Sequence, residues 1–251
     1  METSLTDILP VRRTNVRATL LGGGRSLSVG PPPLFEGLTQ QQRTLVLSHG
    51  RRIVVGRGTA LFSQGCPHDG IYLIETGRVR VFYTAPNGRE ITLAYWDSGN
   101  FVGGPEVFGT GTHAWSGAGT MTSTVIMLPG RALQRLAMQI PALAIGIING
   151  LVFKGRCYSA LAQMLGTRSV TQRLAQLLLH LADCYGIPEE DGTLIGAAFS
   201  HADLANMVGA TRQWVTISMK RHADAGIVSV RNGHIMMHER DMLKALVREA
   251  G

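Results

Sequence analysis

The chain has 251 residues and a formal net charge of +7, with 45% hydrophobic and 16% charged residues. That balance excludes an extended disordered polyelectrolyte and leaves room for two domains at ~100–200 residues each. Residues 1–33 carry four arginines against two acids, residues 34–169 twelve bases against six acids, and residues 170–251 eight against nine. A polyanion partner is compatible with the total, but any basic surface must come from local clustering rather than from one strongly basic half.

Three separated cysteines, Cys66, Cys157 and Cys184, contain no CxxC pair, so neither a disulfide framework nor a zinc module is expected and a reduced, cytoplasmic setting follows. The N-terminus lacks a basic-then-apolar leader pattern. The most apolar run, residues 141–153, is interrupted by Gly146, Asn149 and Gly150 and falls short of the ~20 residues a membrane span needs. No membrane partner is expected.

In chain order, residues 1–33 hold Arg12, Arg13, Arg17 and Arg25, a triple glycine and a triple proline, and read as a mobile arm ending in a polyproline spacer. Thr39 and Gln42 form a capping-box pattern for a short helix to about His49. From Arg51 to Leu128 the texture becomes short β-branched or aromatic runs between turn residues. Ile53–Val55, Ile71–Ile74, Val79–Tyr83, Ile91–Tyr95 and Val125–Leu128 are the clearest strands, and Asn87-Gly88 marks a hairpin. Strands at such spacing predict a double-sheet roll, assigned to residues 34–140.

A short helix over Arg131–Gln139 precedes a long one opening near Pro141, a favoured first-turn residue. Ala144, Ile147, Leu151, Lys154, Tyr158, Leu161 and Leu165 alternate spacings of three and four, the period of a two-helix seam. Residues 141–166 are therefore read as a dimerisation helix of a parallel homodimer, with Lys154 a blemish in the stripe. Gly166 to Ser169 should break it, making a hinge, and Ser169 caps the next helix, Val170–Tyr185. Residues 167–251 then form a second domain.

Within that domain, Ser200 and Asp203 form another capping pattern, and Gly209 separates a first short helix from a second capped by Thr211. Val215, Met219 and His222 give the second helix an inner face. Two short helices joined through a glycine turn have the shape of a helix-turn-helix, although an ordinary helical hairpin is the other reading of this stretch alone. Ile227–Arg231 and His234–Met237, turning at Asn232-Gly233, add a wing, and Glu239–Glu249 a closing amphipathic helix. The fold class is α+β.

Roll, long helix, hinge and winged helix, from about Leu34 to Met237, resemble the cyclic-AMP receptor protein / fumarate–nitrate regulator (Crp/Fnr) family of bacterial transcription regulators. The carrying residues are Val170-Thr171-Gln172-Arg173-Leu174-Ala175, the stretch Ser200–Val230, Gly77, Asn87-Gly88, and Gly99–Phe108 (GNFVGGPEVF), which is similar to the family's phosphate cassette. The resemblance implies a homodimer joined through the Ala144–Leu165 helix, a palindromic double-stranded DNA site, RNA polymerase as a further partner, and a cyclic-nucleotide-binding-like roll.

The resemblance also assigns site residues. Arg212 stands where the family reads a guanine through O6 and N7, and Gln213 replaces the following Glu, which shifts the preference toward adenine. Ile217 replaces a second Arg and exchanges a guanine contact for a thymine methyl; Thr216 flanks it. Ser200, His201, Thr211 and Lys220 are phosphate contacts, which position without specifying.

The effector site falls on Phe101, Gly103, Gly104, Glu106, Val107, His113, Ala114 and Trp115 in the roll and on Tyr158 and Ser159 in the dimerisation helix. Cyclic-AMP-binding members carry a Glu and an Arg-Ser pair where this chain has Gly104, His113 and Ala114. Without the guanidinium a phosphate loses its bidentate charged partner, so the effector expected is not cyclic AMP. An aromatic-stacked ligand or organic acid, cyclic di-GMP with Arg78, Arg80 and Arg89 on its phosphates, haem on His113 or Cys66, and no effector at all remain open. The oxygen-sensing branch's four-cysteine iron–sulfur pattern is absent.

No GxSxG turn, P-loop, dinucleotide fingerprint or metal-ligand constellation is present, so no enzyme is expected. A ligand-binding dimeric adaptor whose winged helix contacts protein is the alternative function.

Overall fold

A computed structural model of the chain describes residues 33–248; the arm expected over residues 1–33 lies outside the described residues apart from Pro33. Helix α1 (Gln40–Ser48) begins as its cap demands, Thr39 Oγ1 accepting from the Gln42 amide and Gln42 Oε1 accepting from the Thr39 amide. Eight strands then build the roll: β1 (Arg51–Val55), β2 (Ala60–Phe62), β3 (Gly70–Thr76), β4 (Arg78–Thr84), β5 (Glu90–Asp97), β6 (Phe101–Val102), β7 (Ser116–Gly119) and β8 (Ser123–Pro129). They lie in two sheets, ordered β1-β8-β3-β6 and β2-β7-β4-β5.

The five expected strands are all present and each is longer than its apolar run, because ladder hydrogen bonds extend into the polar flanks. The short strands β2, β6 and β7 escape a reading by apolar runs; β7 is Ser-Gly-Ala-Gly and is a strand only because β2 and β4 pair with it. The hairpin marked by Asn87-Gly88 joins β4 to β5; Gly88 has φ +79° while Asn87 keeps a negative φ, so this is not a two-residue type I′ turn. The Ala85 amide instead donates to the Arg89 carbonyl across a longer loop. At the wing, Asn232 (φ 52°) and Gly233 (φ 79°) both turn left-handed, the signature of a two-residue type I′ turn.

Helix α2 (Gly130–Gln139) leads into α3 (Pro141–Thr167), with Pro141 in the first turn. The helix continues through Gly166 to Thr167, and Arg168 is the extended residue that ends it. The break therefore falls within the expected Gly166–Ser169 stretch, at Arg168 rather than at the glycine. Ser169 caps α4 (Val170–Tyr185) by a reciprocal box with Gln172.

The seam read on α3 is corrected. Ile147, Lys154 and Leu161 are buried and Ala144 is half-buried, while Leu151, Tyr158 and Leu165 are half-buried against this chain's own roll and second half. The face left open carries Ile145, Ile148 and Val152 at 58%, 56% and 51% exposure, continuing through the exposed Gly155, Ser159, Ala162 and Gly166. Both stripes alternate three and four, and periodicity alone cannot say which one the roll covers.

The second half packs α4, α5 (His201–Val208), α6 (Arg212–Asp224) and α7 (Arg240–Arg248) around Leu174, Leu177, Leu178, Leu181, Leu204, Val215 and Leu243. On the last helix Leu243 is fully buried while Met242 is 52% exposed. The wing is a four-stranded sheet ordered β11-β12-β10-β9, from β9 (Gly186–Glu189), β10 (Gly192–Ile195), β11 (Val228–Arg231) and β12 (His234–Met237). The β9–β10 hairpin carried no apolar alternation and was not foreseen. Among the described residues no single helix is long and apolar enough to cross a membrane.

Candidate nucleic-acid interface and sensor site

The two helices of the candidate interface are set by their ends. Ser200 caps α5: its hydroxyl accepts from the Asp203 amide, and Asp203 Oδ2 accepts from the Ser200 amide. Gly209 ends the helix at φ 66°, ψ 44°, the left-handed conformation that glycine adopts without a Cβ penalty. Thr211 Oγ1 then accepts from the Trp214 amide and opens α6.

Val215, Ser218, Met219 and His222 turn inward on α6 and are buried, while Trp214 packs partly against the helical core. Arg212, Gln213, Thr216, Ile217 and Lys220 are all exposed, spaced so that they share the opposite face and its N-terminal turns. The Thr216 hydroxyl donates to the Arg212 carbonyl (3.0 Å) and lies 2.9 Å from His201 Nδ1. Its proton being committed, the hydroxyl accepts from that ring nitrogen, which ties α5 to the reading face. Arg231 is paired with Glu189 in the wing sheet.

The roll brings only part of the expected effector set together. Phe101, Gly103, Gly104, Val107 and His113 are buried; Trp115 and Tyr158 pair at 5.5 Å between centroids; Glu106, Ala114 and Ser159 are exposed. Ser159 lies on the open face of α3, apart from the others. His113 stacks on Phe62 and tilts against His68, both at 4.4 Å between centroids, and its Nδ1 is 3.1 Å from the Gly103 carbonyl. Burial holds its pKa below the usual imidazole range, despite that carbonyl. Both ring nitrogens of His68 are buried without a hydrogen-bond partner among the described residues. A Cβ at Gly104 would stand 2.7 Å from His68 Nε2, so the imidazole occupies the space a side chain at position 104 would need.

Phe62, His68, Tyr72, Trp96 and Lys154 were not foreseen at this site. Lys154 is 8% exposed, its Nζ 3.4 Å from the Trp96 ring centroid and 4.6 Å from that of Phe101. Burial drives its pKa down to about 7. The signal was available, since a charge inside an apolar stripe asks for a partner, and here π faces supply it.

Arg78, Arg80 and Arg89 are corrected as phosphate candidates. Arg78 Nε is 2.7 Å from Asp97 Oδ1 and its Nη1 donates to the Tyr185 hydroxyl (3.1 Å); Arg80 pairs with Glu90 (2.7 Å) and donates to Thr92 (2.9 Å). Arg89 donates through Nη2 to the Gly209 carbonyl. Acids and hydroxyls of the chain take up donors of Arg78 and Arg80, and the Gly209 carbonyl takes one donor of the exposed Arg89.

A solvent-facing reading helix behind a roll defines a DNA-binding regulator with a sensor-type domain. The cyclic nucleotide-binding domain model matches residues 52–140, and the Crp-like helix-turn-helix domain model residues 172–246. The cyclic AMP receptor protein of Thermus thermophilus is 26% identical over 214 residues, 85% of this chain and 96% of that one. The global nitrogen regulator of Synechococcus elongatus is 26% identical over 182 residues, 71% and 82% of the two chains. The solved structure of the c-di-GMP-responsive global regulator CLP of Xanthomonas campestris superposes with a TM-score of 0.73 at 21% identity, over 80% of this chain and 99% of that one, a likeness of fold. The chain belongs to the Crp/Fnr family of bacterial transcription regulators, a family without enzymatic activity.

Proposed function

We propose that the protein is a cytoplasmic homodimer that reads a two-fold symmetric DNA site with Arg212 and Gln213, acts through RNA polymerase, and is controlled through the roll by an effector other than cyclic AMP. The observation carrying this reading is the α6 face, where Arg212, Gln213, Thr216, Ile217 and Lys220 are jointly exposed while the opposite face is buried. Arg212 reads a guanine, Gln213 an adenine, and Ile217 leaves one family contact apolar. Ser200, His201, Thr211 and Lys220 contact phosphates. The open face of α3 supports pairing with a second copy. Against cyclic AMP stand the residues Gly104, His113 and Ala114, which offer no guanidinium for its phosphate.

The test is selection of binding sites from a randomised duplex library, followed by titration over salt. A specific two-fold site and a steep fall of affinity with salt are expected, because each neutralised phosphate releases counterions. A winged helix that contacts protein would enrich no sequence. Arg212→Ala should weaken binding by ~1–3 kcal/mol and relax preference at one base pair of each half-site; unchanged preference would move the reading register elsewhere.

A further inference from the structure

We propose that Arg89, on the roll, is a positioning residue for DNA reading: its bond to the Gly209 carbonyl fixes the helix-turn-helix against the β4–β5 hairpin. It thereby sets the separation and tilt at which a dimer presents its two recognition helices. The inference rests on the dimeric DNA-binding reading above and adds a residue outside the winged helix to it.

The contact has an apolar centre and a polar rim. Tyr95 on β5 is 7% exposed and belongs to the same apolar cluster as Leu204, Val208 and Val215. Around it, Glu90 Oε2 accepts from Arg80 (2.7 Å) and lies 3.5 Å from Asn206 Nδ2 on α5, and Arg78 holds the Tyr185 hydroxyl. Arg89 completes the rim at the turn itself. The last carbonyls of a helix lack intrahelical partners and form the negative end of its dipole, so a guanidinium is well suited to the carbonyl just after α5.

Gly209 is where several parts of the molecule converge. A Cβ there would lie 3.2 Å from Leu165 at the end of α3, 3.3 Å from Arg173 Nη1 on α4 and 3.6 Å from Arg89 Nη2 on the hairpin. Arg173 and Arg89 carry like charge, so the hairpin is held by the carbonyl and by Glu90 rather than by general attraction. The cleft beside this contact is lined by Asn87–Glu90 on one side and Ala210–Arg212 on the other, and the reading side chains stay exposed.

Half-sites of such dimers lie about one helical turn apart, ~34 Å, and a loosened turn would blur that distance without altering which bases are read. The experiment selects sites from a randomised 40-bp duplex library with wild-type protein, Arg89→Ala and Arg89→Lys in parallel. Wild type should enrich one fixed half-site spacing. Arg89→Ala should enrich the same half-site sequence over several spacings and bind the wild-type site roughly tenfold more weakly. It should keep the wild-type affinity for a duplex with a single half-site. Arg89→Lys, which retains a donor, should recover part of the spacing preference, and unchanged thermal midpoints show the variants folded. Unchanged spacing and affinity in Arg89→Ala overturn the proposal, as does a loss on single half-sites, which would make Arg89 a DNA contact. Wild type that enriches no two-fold site overturns the dimeric reading instead.

Discussion

Lys154 shows how one side chain changes meaning once its surroundings are known. In a helical stripe it is a fault in an apolar seam; in the folded chain it is an amine buried under Trp96 and Phe101, with no carboxylate beside it among the described residues. Its folded pKa, about 7, lies below the ordinary 10.5, so between those values the unfolded chain binds the additional proton. Stability must then rise with pH across that window and be lowest below pH 7. Cys157 acts in the opposite sense, because burial pushes its thiol up from 9.0 to about 12, and the folded chain keeps a proton that the unfolded one releases above pH 9. The clean interval is therefore about pH 7 to 9. Lys154→Met should flatten the rise of thermal midpoint with pH there, in scans compared with wild type; an equal slope would assign the rise to other groups.

At the scale of elements, α3 carries two stripes of the same period, and the roll takes one of them. Leu151 and its neighbours are held by this chain, whereas Ile148 and Val152 face outward. Ile148→Asp should leave the thermal midpoint of the monomer close to wild type, since surface substitutions away from packed features lie within about 0.5 kcal/mol. It should also shift the species seen in analytical ultracentrifugation from dimer to monomer. Leu151→Asp should instead lower the midpoint, because it places a charge against the apolar cluster that Leu143 and Ile147 share with the roll. A dimer that survives Ile148→Asp would locate self-association elsewhere. Helix ends were the best-read features of the elements. Ser169, Ser200 and Thr211 each cap the helix assigned to them, because a cap is a local bond between a side chain and an amide two or three residues on.

For the whole molecule, the outer face of the β4–β5 hairpin is continuous with the helical core through Tyr95 and Leu93. The two halves should therefore melt together. Tyr95→Ala removes the aromatic centre of that contact, at a cost of about 3 kcal/mol or more for a buried ring. Calorimetry should then resolve two transitions where wild type shows one. A single transition in both proteins would mean that the rim of arginine contacts suffices for coupling.

The sequence by itself determined the caps, the order of strands and helices, the helix-turn-helix and the residues of its outer face, because each depends on bonds or periodicities spanning a few positions. Only the tertiary structure decided which stripe of α3 meets the roll and that Lys154 sits among aromatic rings. It also decided that His68 joins His113, and that Arg78, Arg80 and Arg89 serve internal partners instead of a ligand. Arg89 and Gly209 are 120 residues apart, and no local pattern records a bond between a hairpin and a turn that meet only when both halves have folded. The effector-site residues lie between these cases: their type is visible in the chain, but Glu106, Ala114 and Ser159 are exposed while Phe101, Gly103, Gly104, Val107 and His113 are buried, because strand and helix orientation, which packing sets, decides which side chains share a site.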